Sequence, residues 1–141
     1  MIPGLTRSEL QRLAQEKLDD AILLFANMRF SNSYYLAGYA IELGLKACIA
    51  RQISAETIPN KDVINSVYQH DFKNLIGIAG LTQQLADAQK RDPDFGANWA
   101  TVYEWKEIRR YQQTEEITAK KMIEAVSDSK TGVLTWIKTQ W

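Results

Sequence analysis

One cysteine, Cys48, and one histidine, His70, stand among the 141 residues of this chain. A lone cysteine excludes an intramolecular disulfide framework and any cysteine-based zinc or iron–sulfur centre, and it fits a reducing cytoplasm. A lone histidine excludes multi-histidine metal sites, so no metal or other cofactor is expected. An excess of either charge is missing as well, with 17 basic residues against 17 acidic ones. That balance argues against an acidic tail, a polybasic membrane anchor and a broad face for duplex DNA, and leaves room only for a local nucleic-acid contact. Long apolar runs are absent too. Uncharged stretches such as Phe30 to Ile41 stop short of the roughly 18 apolar residues that span a bilayer, so no membrane helix is expected. The start, Met1-Ile2-Pro3-Gly4-Leu5, shows no basic flank followed by an apolar run, and no signal peptide is expected either. Glycine-rich phosphate loops, a serine elbow, and kinase or dinucleotide motifs are all lacking.

What is present is a 45% apolar chain of one domain's length, 1–141. A chain of this size buries about 68 to 70% of the surface its unfolded form exposes and needs no staple. Apolar residues recur at spacings of three and four, while β-branched alternation is hard to find, so the fold class is all-α, an up-and-down helical bundle of four to five main helices with short connector helices. Thr6-Arg7-Ser8-Glu9 has capping-box spacing and opens a first helix reaching about Met28, with Leu10, Leu13, Ala14, Ala21, Leu24, Phe25 and Met28 inward. A second helix, about Asn32 to Ser54, is apolar or small on every face from Tyr34 to Ala50 except at Glu42 and Lys46, and therefore belongs at the centre. Its small residues, Gly38 and Gly44 included, invite close approach by a neighbour.

After a connector with a short helical turn capped by Asn60, Asp71 caps a helix over Phe72 to Ala79 that Gly80 ends. Thr82 starts another, to about Arg91, and Asp92-Pro93 opens a sixth that runs to about Tyr111 with Trp99, Val102 and Trp105 on one face. A last helix, opened by Thr114-Glu115-Glu116, carries Met122, Val126, Val133, Trp136 and Ile137 inward, and Gly132 is placed to break or bend it.

Two charged clusters stand out. Glu42 and Lys46, four apart in the most apolar helix, must be paired or near water: either they form a pair at the bundle rim, or they border a polar pocket shared with charged groups from another helix or subunit. Near the end of the sixth helix lie Arg109, Arg110 and Tyr111. Guanidinium forks suit phosphate and aromatic faces stack on bases, which would serve a nucleotide or a few unpaired RNA residues. The competing reading makes those cations partners of the helix dipole and Trp105 a core residue. His70-Asp71 reads as a helix cap with histidine packed beside it, and Cys48 reads as core.

Ser33-Tyr34-Tyr35-Leu36-Ala37-Gly38-Tyr39-Ala40-Ile41-Glu42-Leu43-Gly44-Leu45-Lys46-Ala47, then His70-Asp71-Phe72-Lys73-Asn74-Leu75, then Trp105 with Arg110-Tyr111, resembles the HEPN family, the higher eukaryotes and prokaryotes nucleotide-binding domains. The resemblance implies a helical bundle that commonly forms a homodimer with a polar site near its interface. It also implies association with nucleotides or single-stranded RNA, and in some members a nucleotidyltransferase partner in toxin–antitoxin or defence loci. Ribonuclease members carry an arginine followed after four to six residues by a histidine. No histidine occurs here after His70. The expected function is therefore a non-catalytic domain that binds a nucleotide or RNA segment, with Glu42, Lys46, Arg109, Arg110 and Tyr111 as ligand-binding candidates and no catalytic residue. A dimerisation or protein-interaction module is the alternative, and a ribonuclease with a non-standard site the minor one.

Overall fold

In the computed structural model, which describes residues 4–53 and 55–141 apart from the side chain of Arg110, the chain is all-helical. Eight α-helices and one 3₁₀ turn are seen among those residues: α1 (Arg7–Ala26), α2 (Phe30–Gln52), α3 (Lys61–Val67), α4 (Phe72–Ile78), α5 (Thr82–Arg91), α6 (Pro93–Tyr103), the 3₁₀ turn (Glu107–Tyr111), α7 (Glu116–Ser127) and α8 (Val133–Lys138). Met1, Ile2, Pro3 and Ser54, the expected end of the second helix, lie outside the described residues. No described helix is long and apolar enough to cross a membrane.

Local chemistry sets most helix starts. Thr6 Oγ1 accepts from the Glu9 amide at 3.2 Å while the Thr6 amide donates to Glu9 Oε2 at 2.7 Å, a reciprocal cap that opens α1. Asn60, Asp71 and Asp92 cap α3, α4 and α6 in turn, each side chain accepting from an amide of the first turn. Gly80, with φ +72°, closes the end of α4 in the left-handed region that glycine enters without strain. The α1 stripe departs from expectation at its end. Leu18 joins Leu10, Ala14 and Ala21 inside, whereas Met28 is 76% exposed because the helix stops at Ala26 and Met28 turns the chain at φ +60°.

Helix α2 is the centre, touching α1, α4, α7, α8 and the 3₁₀ turn. Its burial on nearly every side follows from its composition. Gly44 lets α8 sit close, since a Cβ there would stand 3.0 Å from Ile137 and 3.1 Å from Leu134. Ser33 ties α1 to α2 by donating its hydroxyl to the Ala21 carbonyl at 2.7 Å.

The sixth helix does not run to Tyr111. It ends at Tyr103, Lys106 is extended (φ −131°, ψ 145°), and the chain resumes as the 3₁₀ turn. The reason is Trp105, only 2% exposed, whose indole stacks on Phe72 (centroids 5.3 Å, 7° between planes) and fills the space beside Gly38. Burying this ring between α2 and α4 outweighs the helix continuation that periodicity suggests. Arg109 and Tyr111 therefore stand on the 3₁₀ turn and not at the end of the sixth helix. The last helix breaks before Gly132 into α7 and α8, as the place of that glycine suggests: Asp128 accepts from the amides of Lys130 (2.9 Å) and Thr131 (2.7 Å), and a Cβ on Gly132 would meet the Asp128 carbonyl oxygen at 2.5 Å. Cap and glycine together turn the chain between α7 and α8. Helix α7 begins at Glu116 with Glu115 as its cap, and Thr114 is buried instead.

A Cβ at Gly38 would stand 2.3 Å from the Trp105 indole, so Gly38→Ala forces the ring out of its stack. It should lower stability by about 1–3 kcal/mol in urea denaturation, the ordinary range for overpacking. Cys48 is buried in α2, and burial pushes its thiol from 9.0 up to about 11. The native protein should resist a thiol reagent at pH 8 that reacts at once after unfolding. Because the fold disfavours the thiolate, the stability that Cys48 contributes is complete below about pH 9 and is lost as pH rises toward about 11.

Candidate functional site

The charged groups of α2 lie deep in the bundle. Glu42 is 1% exposed in the middle of the central helix, where an ionised carboxylate needs partners for both oxygens. Oε2 accepts from Lys46 Nζ at 3.0 Å, one helical turn on. Oε1 lies 2.7 Å from His70 Nδ1. A carboxylate can only accept, so Nδ1 carries the proton and donates. The other ring nitrogen, Nε2, lies 3.4 Å from Glu107 Oε2 at the start of the 3₁₀ turn. In its charged form the ring joins two carboxylates; in its neutral form Nε2 is a lone-pair acceptor.

Each part is held by a different element. Helix α2 supplies Glu42 and Lys46 at the i, i+4 spacing that puts both on one face. Asp71, the cap of α4, fixes the chain just after His70 by accepting from the Lys73 amide at 2.9 Å. The Trp105 stack sets where the 3₁₀ turn begins, and so places Glu107. The His70 side chain, 39% exposed, is the outlet of the cluster to solvent, whereas Lys46 and Glu42 are largely covered. Tyr39 lies beside them, and its hydroxyl is pushed above the ordinary tyrosine range by burial first and by the carboxylates of Glu42 and Glu107 as well as by Tyr35.

Of the sequence candidates, Glu42 and Lys46 are brought together. Arg109 is engaged elsewhere: it donates to Thr114 Oγ1 at 2.9 Å, and its guanidinium lies 4.5 Å from the Tyr34 ring centroid. The Thr114 amide in turn donates to Ser31 Oγ at 2.8 Å. Arg109 thus straps the 3₁₀ turn to α2 and to the start of α7, and its charge is spent on a tyrosine face. Burial raises the Tyr34 hydroxyl above its ordinary range, and the Arg109 charge opposes that rise. Tyr111 is 73% exposed on the same turn. The side chain of Arg110 lies outside the described residues.

His70 and Glu107 are the members of the cluster that sequence reasoning left out. His70 stands beside a cap, and capping explains Asp71 without saying where the imidazole goes. Its one available signal was scarcity: a buried glutamate with one lysine still has an oxygen to satisfy, and this chain has one histidine. Glu107 gave no signal, because its position depends on where α6 stops. Among the described residues no three histidine, cysteine, aspartate or glutamate side chains stand where they could hold a metal ion. The lysine ammonium on Glu42 supplies the positive charge that a metal would bring.

No family model matches this chain, and neither a curated protein nor a solved structure does.

Glu42→Gln keeps the shape and removes the charge, so that one oxygen is left for two donors and either Lys46 or the Nδ1–H faces an amide NH₂. It should lower stability by about 1–3 kcal/mol in urea denaturation, the penalty for a buried group left poorly satisfied. His70→Ala should cost less than Glu42→Gln, since it empties a partly exposed site and leaves the lysine pair intact.

Proposed function

We propose that this is a HEPN-like, non-catalytic helical domain that binds a nucleotide or a short single-stranded RNA segment where the charged cluster opens to solvent. The observation that carries the reading is the meeting of His70 with Glu107 at 3.4 Å, because the 3₁₀ turn that supplies Glu107 is also the segment that carries Arg110 and the exposed Tyr111. Two of the sequence blocks behind the family resemblance therefore lie side by side. Arg110 serves phosphate through its guanidinium fork, and Tyr111 offers a face for a base. Lys46 and Glu42 act one step back: Lys46 pairs with Glu42, and Glu42 holds the imidazole. Arg109 drops out of the ligand set, since its guanidinium is committed to Tyr34 and Thr114.

The same resemblance carries the rest of the proposal, namely a cytoplasmic homodimer, with a small nucleotidyltransferase as partner in a toxin–antitoxin or defence setting. A second reading, a helical interaction module without ligand, is favoured by the burial of Glu42 with both of its oxygens engaged within the chain.

Isothermal titration at low salt against mono-, di- and trinucleotides and a short single-stranded RNA separates the two. Binding at one site per subunit or per dimer is expected, with Arg110→Ala weakening it by about 10- to 150-fold, the equivalent of about 1.5–3 kcal/mol for one charged hydrogen bond. A flat panel overturns the proposal in favour of the interaction module.

A further inference from the structure

A groove of about 730 Å³ lies between α3, α4, α5 and α6, apart from the residues assigned above. Pockets for small ligands ordinarily enclose about 300–1,000 Å³. Its walls are set apart from the rest of this balanced surface by their charge, because Lys73 is the one lysine, arginine, aspartate or glutamate among the lining residues. The remaining polar groups are neutral. Asn74 Nδ2 donates to Gln69 Oε1 at 3.1 Å, which orients both amides and leaves Asn74 Oδ1 as an acceptor and Gln69 Nε2 as a donor. Trp99 and Tyr103 form an aromatic wall, their rings 6.0 Å apart, and Lys106 Nζ stands 5.4 Å from the Tyr103 centroid. Gly77 leaves the surface of α4 bare: no heavy atom lies within 4 Å of where its Cβ would stand.

We infer that this groove seats one nucleotide unit, its base against the Tyr103 side and its phosphate on Lys73. An aromatic face stacks on any base, a fixed donor and acceptor match a base edge, and a cation that is the one charged residue of the wall suits phosphate. The occupant is an anion with a planar ring, since a neutral apolar ligand would use neither the Lys73 charge nor the free acceptor and donor of the paired amides. The groove adjoins the mouth of the charged cluster along the chain, Gln69 preceding His70 and Tyr103 lying just before Glu107. The inference rests on the nucleotide-binding reading and seats the base of that site on the Tyr103 side of the groove in place of Tyr111. The same unit could be a free mononucleotide or the terminal nucleotide of an RNA.

The test is titration of the full chain with AMP, GMP, CMP, UMP and a 5′-phosphorylated RNA tetramer, using wild type, Gly77→Leu, Lys73→Gln and Arg110→Ala. Gly77→Leu fills open space and replaces a helix-weakening glycine, so its melting temperature should hold or rise. Both Gly77→Leu and Lys73→Gln should weaken binding at least tenfold. Mononucleotide binding identifies the free nucleotide as occupant; binding of the tetramer alone identifies an RNA end. Binding that Arg110→Ala weakens while Gly77→Leu and Lys73→Gln leave it intact overturns the groove and keeps the proposed function. No binding to wild type overturns both.

Discussion

A carboxylate in the middle of a fully packed helix is the constraint on which the rest of this structure depends. Glu42 is among the largest side chains that the bundle covers completely, and each of its oxygens must be answered within hydrogen-bonding distance. Lys46 answers one from the same helix, which any helix can arrange. His70 answers the other from the segment before α4, so the connector has to return to α2 at that height. The ring then meets Glu107, and a third part of the chain is drawn to the same place. Removing Lys46 or Glu42 leaves the other without its charged partner, whereas the intact set is held by mutual satisfaction.

The aromatic stack does the corresponding work on the apolar side. Phe72, the first residue of α4, lies face to face with Trp105, and Tyr35 of α2 lies 5.6 Å from the same indole. Gly38 is what lets that ring approach α2, because any Cβ would occupy the place of the indole. The indole Nε1 is buried there without a hydrogen-bond partner among the described residues, so the ring is positioned by shape and contact area. Position follows for the neighbours on both sides: Asp71 and His70 precede Phe72, and Glu107 follows Trp105 by two residues. Polar cluster and aromatic stack are thus two faces of one junction between α2, α4 and the 3₁₀ turn.

Much of the bundle was legible without coordinates because it is written in local chemistry. The caps at Thr6, Asn60, Asp71 and Asp92, the break at Gly80 and the central place of α2 each depend on residues within one or two turns of one another. The i, i+4 pairing of Glu42 with Lys46 is of the same kind. The misreadings around the site involve distant partners. Trp105 leaves the helix that periodicity assigns it in order to reach Phe72, and Arg109 turns to Tyr34 for the same non-local reason. Met28 continues the apolar spacing, but the helix ends at Ala26 and Met28 turns the chain toward α2.

The amino-acid order by itself determined an all-helical chain, the starts of most of its helices, and a buried charge in the central one, since helix periodicity and capping act over three or four residues. Which group satisfies that charge, where α6 stops, and how one wall with a single cation comes to face a groove were decided only in the tertiary structure. Those outcomes depend on which side chains meet across the bundle. His70, 28 residues beyond Glu42, becomes its partner only because the Trp105 stack and the α4 cap bring that segment back to the middle of α2.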